Sequence, residues 1–176
     1  MTRSVVLWLP FVLGSALLVA FWFGLRNPSD HIIASNVVGE PLPAFDTPPA
    51  LAGRAGASSA DFSTGKPRLL NVFASWCIPC VREVGVLKKM QLQGADITGI
   101  AIHDSPQAVG EFLARNGDPY GAIGLDAEGR TQLAFGSTGV PETFVIGGDG
   151  RILYQHIGVV TDDDMTMLLS MLEDNQ

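Results

Sequence analysis

Val72-Phe73-Ala74-Ser75-Trp76-Cys77-Ile78-Pro79-Cys80 is the stretch on which the fold turns. Apolar residues from Leu69 lead into it and predict a strand over 69–74. It ends in the chain's two cysteines, separated by two residues. An amphipathic run follows at once (Val81, Val84, Leu87, Lys88, Lys89, Met90) and predicts a helix over 77–91. Cys77 is therefore expected in the first turn of a helix, just past the end of a strand. Free backbone N–H groups and the positive end of the helix dipole favour a thiolate there. An ordinary thiol with a pKa of about 8.5 is a few per cent ionised at neutral pH, and lowering it to about 7 ionises roughly half.

A Cys-x-x-Cys pair beside a strand–helix pattern reads as a thioredoxin-like redox site. A purely structural disulfide is the plain alternative, but so short a loop gains little from chain entropy. Structural zinc takes about four protein ligands. The chain offers two cysteines and three scattered histidines, His31, His103 and His156, so no metal site is expected. Covalent haem needs a histidine directly after the second cysteine, and that residue is Val81. No cofactor is expected.

Eleven basic and 18 acidic side chains give a net charge of −7, which argues against a nucleic-acid partner. The 176 residues suffice for an anchor plus one domain. Val5 to Leu25 is a run of 21 residues without a charge. At about 1.5 Å per residue it spans roughly the 30 Å hydrocarbon core of a bilayer. Trp8 and Trp22 lie near its ends, where aromatic belts form. The run is long for a signal peptide, and no small-x-small cleavage site follows Leu25. An uncleaved transmembrane helix is expected, with the short N-terminus inside and the rest of the chain exported. Residues 1–38 then form anchor and tether, and 39–176 the globular domain.

Prolines 41, 43, 48 and 49 forbid a helix at the start of that domain and restrict strands to edges. Residues 53–59 are small and polar and read as a surface loop. Beyond 91 the pattern predicts strands over 96–102, 122–125, 143–146 and 152–156, and helices over 106–115, 127–135 and 162–172. Ser105 stands as N-cap before Pro106. Gly147-Gly148-Asp149-Gly150 joins the last two strands as a hairpin connection. Together these predict an α/β fold, a mixed sheet with helices on both faces.

The stretch Leu70-Asn71-Val72-Phe73-Ala74-Ser75-Trp76-Cys77-Ile78-Pro79-Cys80, with Gly139-Val140-Pro141-Glu142-Thr143-Phe144-Val145-Ile146, resembles the membrane-anchored thioredoxin-like proteins of cytochrome c maturation. These are thiol:disulfide interchange proteins of the DsbE/CcmG type. The resemblance extends over residues 39–45, Gly65-Lys66-Pro67, Pro119-Tyr120 and the N-terminal run, leaving out 47–64. Many relatives carry proline where this chain has Gly85, and often aspartate where it has Gly147. His103 stands where lysine or another polar residue is expected, and its role is open.

The resemblance implies a bacterial inner-membrane protein, single-pass, with its C-terminal domain in the periplasm. It implies reduction of a disulfide in apocytochrome c, or in a maturation partner holding it, for haem attachment. A transmembrane thiol-reducing protein would restore the dithiol. Cys77 is then the nucleophile, the more exposed of a redox-active pair, and Cys80 the resolving thiol. Glu83, three residues after Cys80, would take the proton of Cys80 or be a solvated surface glutamate. Pro141 would be cis and pack beside the disulfide, leaving the backbone of Val140 to grip an extended client. Trp76 would shield the thiols or simply pack, and Glu142 would tune the rim of the groove or face solvent. His156 reads as a structural strand residue. Two other classes stay open: a different periplasmic thioredoxin-like redox role, and a copper-delivery or assembly protein using the cysteines as ligands.

Overall fold

The computed structural model describes residues 3–26 and 37–175, with side chains in the first segment described at Trp8 and 10–22. The chain divides into two compact units, Met1–Ala34 and Ser35–Gln176. The first contains helix α1, Arg3–Arg26. Its large described side chains, among them Trp8, Phe11, Leu13, Leu18 and Phe21, are exposed. Among the described residues no helix is long and apolar enough to cross a membrane. Most of the tether expected before residue 39 lies outside the described residues.

The second unit is built on five strands: β3 (Arg68–Phe73), β4 (Ile97–Ile102), β5 (Ala122–Asp126), β6 (Glu142–Ile146) and β7 (Ile152–Ile157). Their order is β5-β4-β3-β6-β7. β3, β4 and β5 run parallel, while β6 and β7 are antiparallel to their neighbours. Helices α2 (Ile78–Leu92) and α3 (Pro106–Asn116) cross between the parallel strands, and α5 (Asp162–Asp174) closes the chain. The expected thioredoxin-like mixed sheet is present, with each strand and long helix within a few residues of its predicted place. Helix α4 is shorter than expected, Arg130–Ala134. Residues 126–129 form a turn instead, in which Gly129 adopts φ +71° and its N–H bonds to Asp126.

Strand alternation assigns the two faces. Asn71 and its β6 partner Thr143 point to one face with Phe73. There Phe73 meets Phe112 of α3 at 5.7 Å and stacks on Tyr120 at 4.8 Å. Leu70 and its partner Phe144 point to the other. That face is covered by α4 and by the segment before β3, through Phe135 on Phe144 and Phe45 on both Phe135 and Phe62.

The segment 39–62 is therefore structural, which its small-residue composition concealed. Residues 46–47 and 57–58 form a two-stranded ribbon, β1 (Asp46–Thr47) and β2 (Ala57–Ser58). A 3-10 turn, Ser59–Phe62, buries Phe62 completely. The expected surface loop over 53–59 is replaced by backbone that bonds to the outer edge of β5. Ala50 N–H donates to Ile123, Ile123 N–H to Ala55 and Leu125 N–H to Pro48. Gly39, Glu40 and Leu42 pair likewise with Gly150 and Ile152 at the start of β7. Prolines fit here because an edge segment needs donors on one side only.

Gly99 of β4 sits under the aromatic stack. A Cβ there would lie 2.9 Å from a carbon of the Phe73 ring and 3.0 Å from one of Tyr120. Neither ring has room to move, since Tyr120 is also hydrogen-bonded to Asn71. Gly99→Ala should lower stability by about 1–3 kcal/mol. Denaturant midpoints of the two proteins measure it.

Candidate active site

The parallel strands deliver their C-termini, and the antiparallel β6 its N-terminus, to one end of the sheet. Cys77 follows β3 there, His103 follows β4, and Pro141 precedes β6. This is the end at which open α/β sheets carry their sites.

Cys77 is the N-cap of α2, in extended backbone, and its Sγ accepts the N–H of Cys80 at 3.2 Å. A helix start has N–H groups without intrahelical partners, and here the sulfur takes one of them. Pro79, inside the first turn, lacks an N–H that would have gone unpaired. Cys77 and Cys80 form a disulfide, with Cα atoms 5.3 Å apart. Both cysteines are buried, Cys77 at 4% accessible and Cys80 at 1%, so Cys77 is the more accessible of the two without being an exposed residue. Their surroundings supply the surface instead. Trp76, Ile78 and Val81 are 58%, 78% and 41% exposed. More than half of the Trp76 side chain is thus at the surface.

Glu83 is buried, which removes the reading of a solvated surface glutamate. Its Oε1 accepts from Asn71 Nδ2 at 3.0 Å and its Oε2 from Val160 N–H at 3.2 Å. Burial pushes its carboxyl from 4.5 up to about 7, against the lowering effect of those two bonds. Asn71 also donates to Thr143 Oγ1 at 3.0 Å and accepts from the Tyr120 hydroxyl at 2.7 Å. Burial, then the nearby Glu83 and Asp118 charges, hold Tyr120 well above its usual pKa, so it stays a donor. In the sequence Asn71, Tyr120 and Thr143 belong only to the stretches that carry the family likeness. Their assembly around Glu83 joins residues far apart in the chain, and only the polarity of Asn71 inside a buried strand hinted at it.

The Val140–Pro141 peptide is cis, as the resemblance implied. Pro141 is buried, and its carbonyl accepts the N–H of Gly158 at 3.0 Å. Among the described residues no protein group bonds to the backbone N–H or C=O of Val140. Glu142 neither lines an open rim nor faces solvent, being 1% accessible. Strand alternation turns it to the face opposite Asn71. There it accepts from Thr138 N–H at 2.8 Å, Thr138 Oγ1 at 2.6 Å and Gln155 Nε2 at 3.2 Å. Those bonds tie down the loop that carries Val140. His156 is partly buried on β7, with Nε2 3.2 Å from the Val159 carbonyl. Among the described residues no group of three or more His, Cys, Asp or Glu side chains is placed to hold a metal.

Comparison with known proteins agrees with this geometry. The family described as Redoxin matches residues 37–169. The thiol:disulfide interchange protein HelX of Rhodobacter capsulatus is 34% identical over 167 residues, covering 95% of this chain and 94% of its own. The thiol:disulfide interchange protein DsbE of Escherichia coli is 35% identical over 163 residues, covering 90% and 87%. A solved thiol:disulfide interchange protein of the thioredoxin family, from Chlorobium tepidum, superposes with a TM-score of 0.59 at 25% identity, over 75% of this chain and 94% of that one. A closed Cys-x-x-Cys pair at a helix start, a cis-proline ahead of β6 and these relatives lead to one assignment. The chain belongs to the redoxin family, among the thiol:disulfide interchange proteins of DsbE type, and is a thiol-disulfide oxidoreductase.

Proposed function

We propose that this protein is an exported reductant that opens the disulfide of apocytochrome c, or of a maturation partner holding it, before haem attachment. Glu83 carries the chemical part of the reading. It is a buried carboxyl with a pKa of about 7, one helical turn behind a redox-active pair. In the dithiol form the Cys77 thiolate attacks the client disulfide, and a mixed disulfide forms as one client sulfur leaves. Cys80 passes its proton to Glu83 and attacks the Cys77 sulfur. The client departs with both sulfurs reduced, and the Cys77–Cys80 disulfide closes. A base whose pKa lies near the working pH suits this transfer. The unpaired backbone of Val140, beside Pro141, offers a short strand edge for an extended client. Trp76 flanks the thiols as a contact face.

The client class and the direction of electron flow come from the likeness of residues 70–80 and 139–146 to the cytochrome c maturation proteins. A transmembrane thiol-reducing protein would restore the dithiol. The uncharged run within α1 would anchor the chain in the inner membrane, with the globular unit in the periplasm. Removing residues 1–38 should then release a soluble domain with unchanged thiol exchange. Retention of that fragment in the membrane pellet would remove the anchor from this reading.

Cys80→Ala should accumulate a mixed disulfide through Cys77, and Cys77→Ala should trap far less. Mass spectrometry of the adducts with and without reductant reads both the roles and the client. A client carrying Cys-x-x-Cys-His, or a factor that binds it, is the expected outcome. A broad mixture of exported proteins would indicate a general redox role.

Glu83 also makes stability depend on pH. Between 4.5 and about 7 the folded carboxyl keeps a proton that the unfolded chain has lost. The folded state is therefore favoured at the acid end; the gain is full below 4.5 and lost as pH rises through 7. A shift of this size corresponds to about 3 kcal/mol. Denaturant unfolding of the oxidised protein should show that decline across pH 5–8. Glu83→Gln should flatten it and slow resolution of the mixed disulfide by tenfold or more.

A further inference from the structure

The two residues before Cys77 are held from outside their own strand. Asp104, just past the end of β4, accepts the N–H of Ser75 at 2.6 Å on Oδ2 and the Ser75 hydroxyl at 2.8 Å on Oδ1. Its neighbour His103 accepts the Trp76 indole N–H on its backbone carbonyl at 3.2 Å. Two consecutive residues of one loop thus grip two consecutive residues of the other. Among the described residues His103 is the one non-glycine with positive φ, +48°. That left-handed backbone is unfavourable for a side chain with a Cβ, and surrounding contacts have to impose it. They are present. His103 N–H bonds to the Asp126 carbonyl at 3.1 Å. Its ring lies so close over Gly129 that a Cβ there would fall 2.5 Å from Nε2. Asp104 in turn holds Ser105 N–H at 2.9 Å on Oδ1, and Ser105 caps α3. The grip is anchored on both sides.

We propose that the His103–Asp104 ledge is the positioning device for the active-site turn. Asp104 fixes the Ser75 end of the turn, so that the Cys77 sulfur lines up with the free N–H groups of α2. His103 pins the exposed indole of Trp76 as a fixed wall beside the thiols. Such preorganisation matters because misplacing a reacting group by about 1 Å costs up to a hundredfold in rate. A lone negative charge would act in the opposite sense. Merely placing a carboxylate near Cys77 disfavours the thiolate, whereas aligning its sulfur with helix N–H groups favours it.

The opposed signs make the test decisive. Alkylation of the reduced full-length protein by iodoacetamide, followed against pH, gives the thiolate midpoint of Cys77. Glu83 is present in every variant, so its influence cancels. With positioning, Asp104→Ala raises the midpoint and slows alkylation at pH 7 by about threefold or more. Asp104→Asn keeps an acceptor for Ser75 N–H and a donor for its hydroxyl but gives up the Ser105 N–H bond, and so raises the midpoint by less than Asp104→Ala does. A midpoint that falls or stays fixed in Asp104→Ala, or rises equally in Asp104→Asn, overturns the proposal. Should Asp104→Ala fail to fold by circular dichroism, Ser75→Ala decides. It loses the hydroxyl bond alone and should raise the midpoint by a smaller step; no rise overturns the proposal. For His103, exchange of the reduced protein with oxidised glutathione should slow more in His103→Val, whose branched side chain resists positive φ, than in His103→Gly. Equal rates would remove His103 from the device.

Discussion

The amide of Asn71 is the contact on which the site depends. It lies in the central strand with no accessible surface, where an unpaired polar group costs about 1–3 kcal/mol. It has partners on three sides: Glu83 from α2, Thr143 from β6 and Tyr120 from the segment before β5. Each partner is thereby placed as well. Glu83 is held behind the cysteines, Thr143 is held two residues beyond the cis-proline, and Tyr120 is locked into its stack on Phe73. The network keeps a carboxyl inside the protein with no ion pair to a cation among the described residues. With a pKa of about 7 the carboxyl is present in both its protonated and its ionised form near neutral pH, so it can hold a proton or accept one.

Two carboxylates that look alike in the sequence have been given different work by strand and helix geometry. Glu83 lies on the face of the sheet covered by α2, and Glu142, bonded to Thr138 and Gln155, lies on the other. The first is bonded to Asn71 and to the backbone of Val160, and the second holds the loop around Val140. Spacing to Cys80 singled out Glu83 but left its burial open, and it said nothing of where Glu142 points. Both follow from which way a side chain points at a given register.

The redox pair, the strand–helix junction, the long elements and the cis-proline were legible, because each rests on a local pattern or a compact motif. What escaped was short or long-range. β1 and β2 are two residues each, too few for any periodicity, and they exist because β5 offered an unpaired edge. The burial of Phe62 was hidden in a stretch of small polar residues. The partners of Asn71 lie 12, 49 and 72 positions away. His103 carried no signal for its left-handed backbone, since histidine is not a residue that demands it. The recession of Cys77 depends on neighbours that only the folded turn brings together.

The strap of residues 39–58 has a bearing on how such a protein survives its task. A protein that exchanges disulfides with client chains would meet extended polypeptide during its work, and bare sheet edges would template unwanted pairing. Here the chain's own proline-rich segment occupies the outer side of β5 and the start of β7. Visitors seeking a ladder are turned away from those borders, while the backbone of Val140, ahead of β6, has no hydrogen-bond partner among the described residues. Guarding the perimeter in this way makes the chemically useful encounter the favoured one.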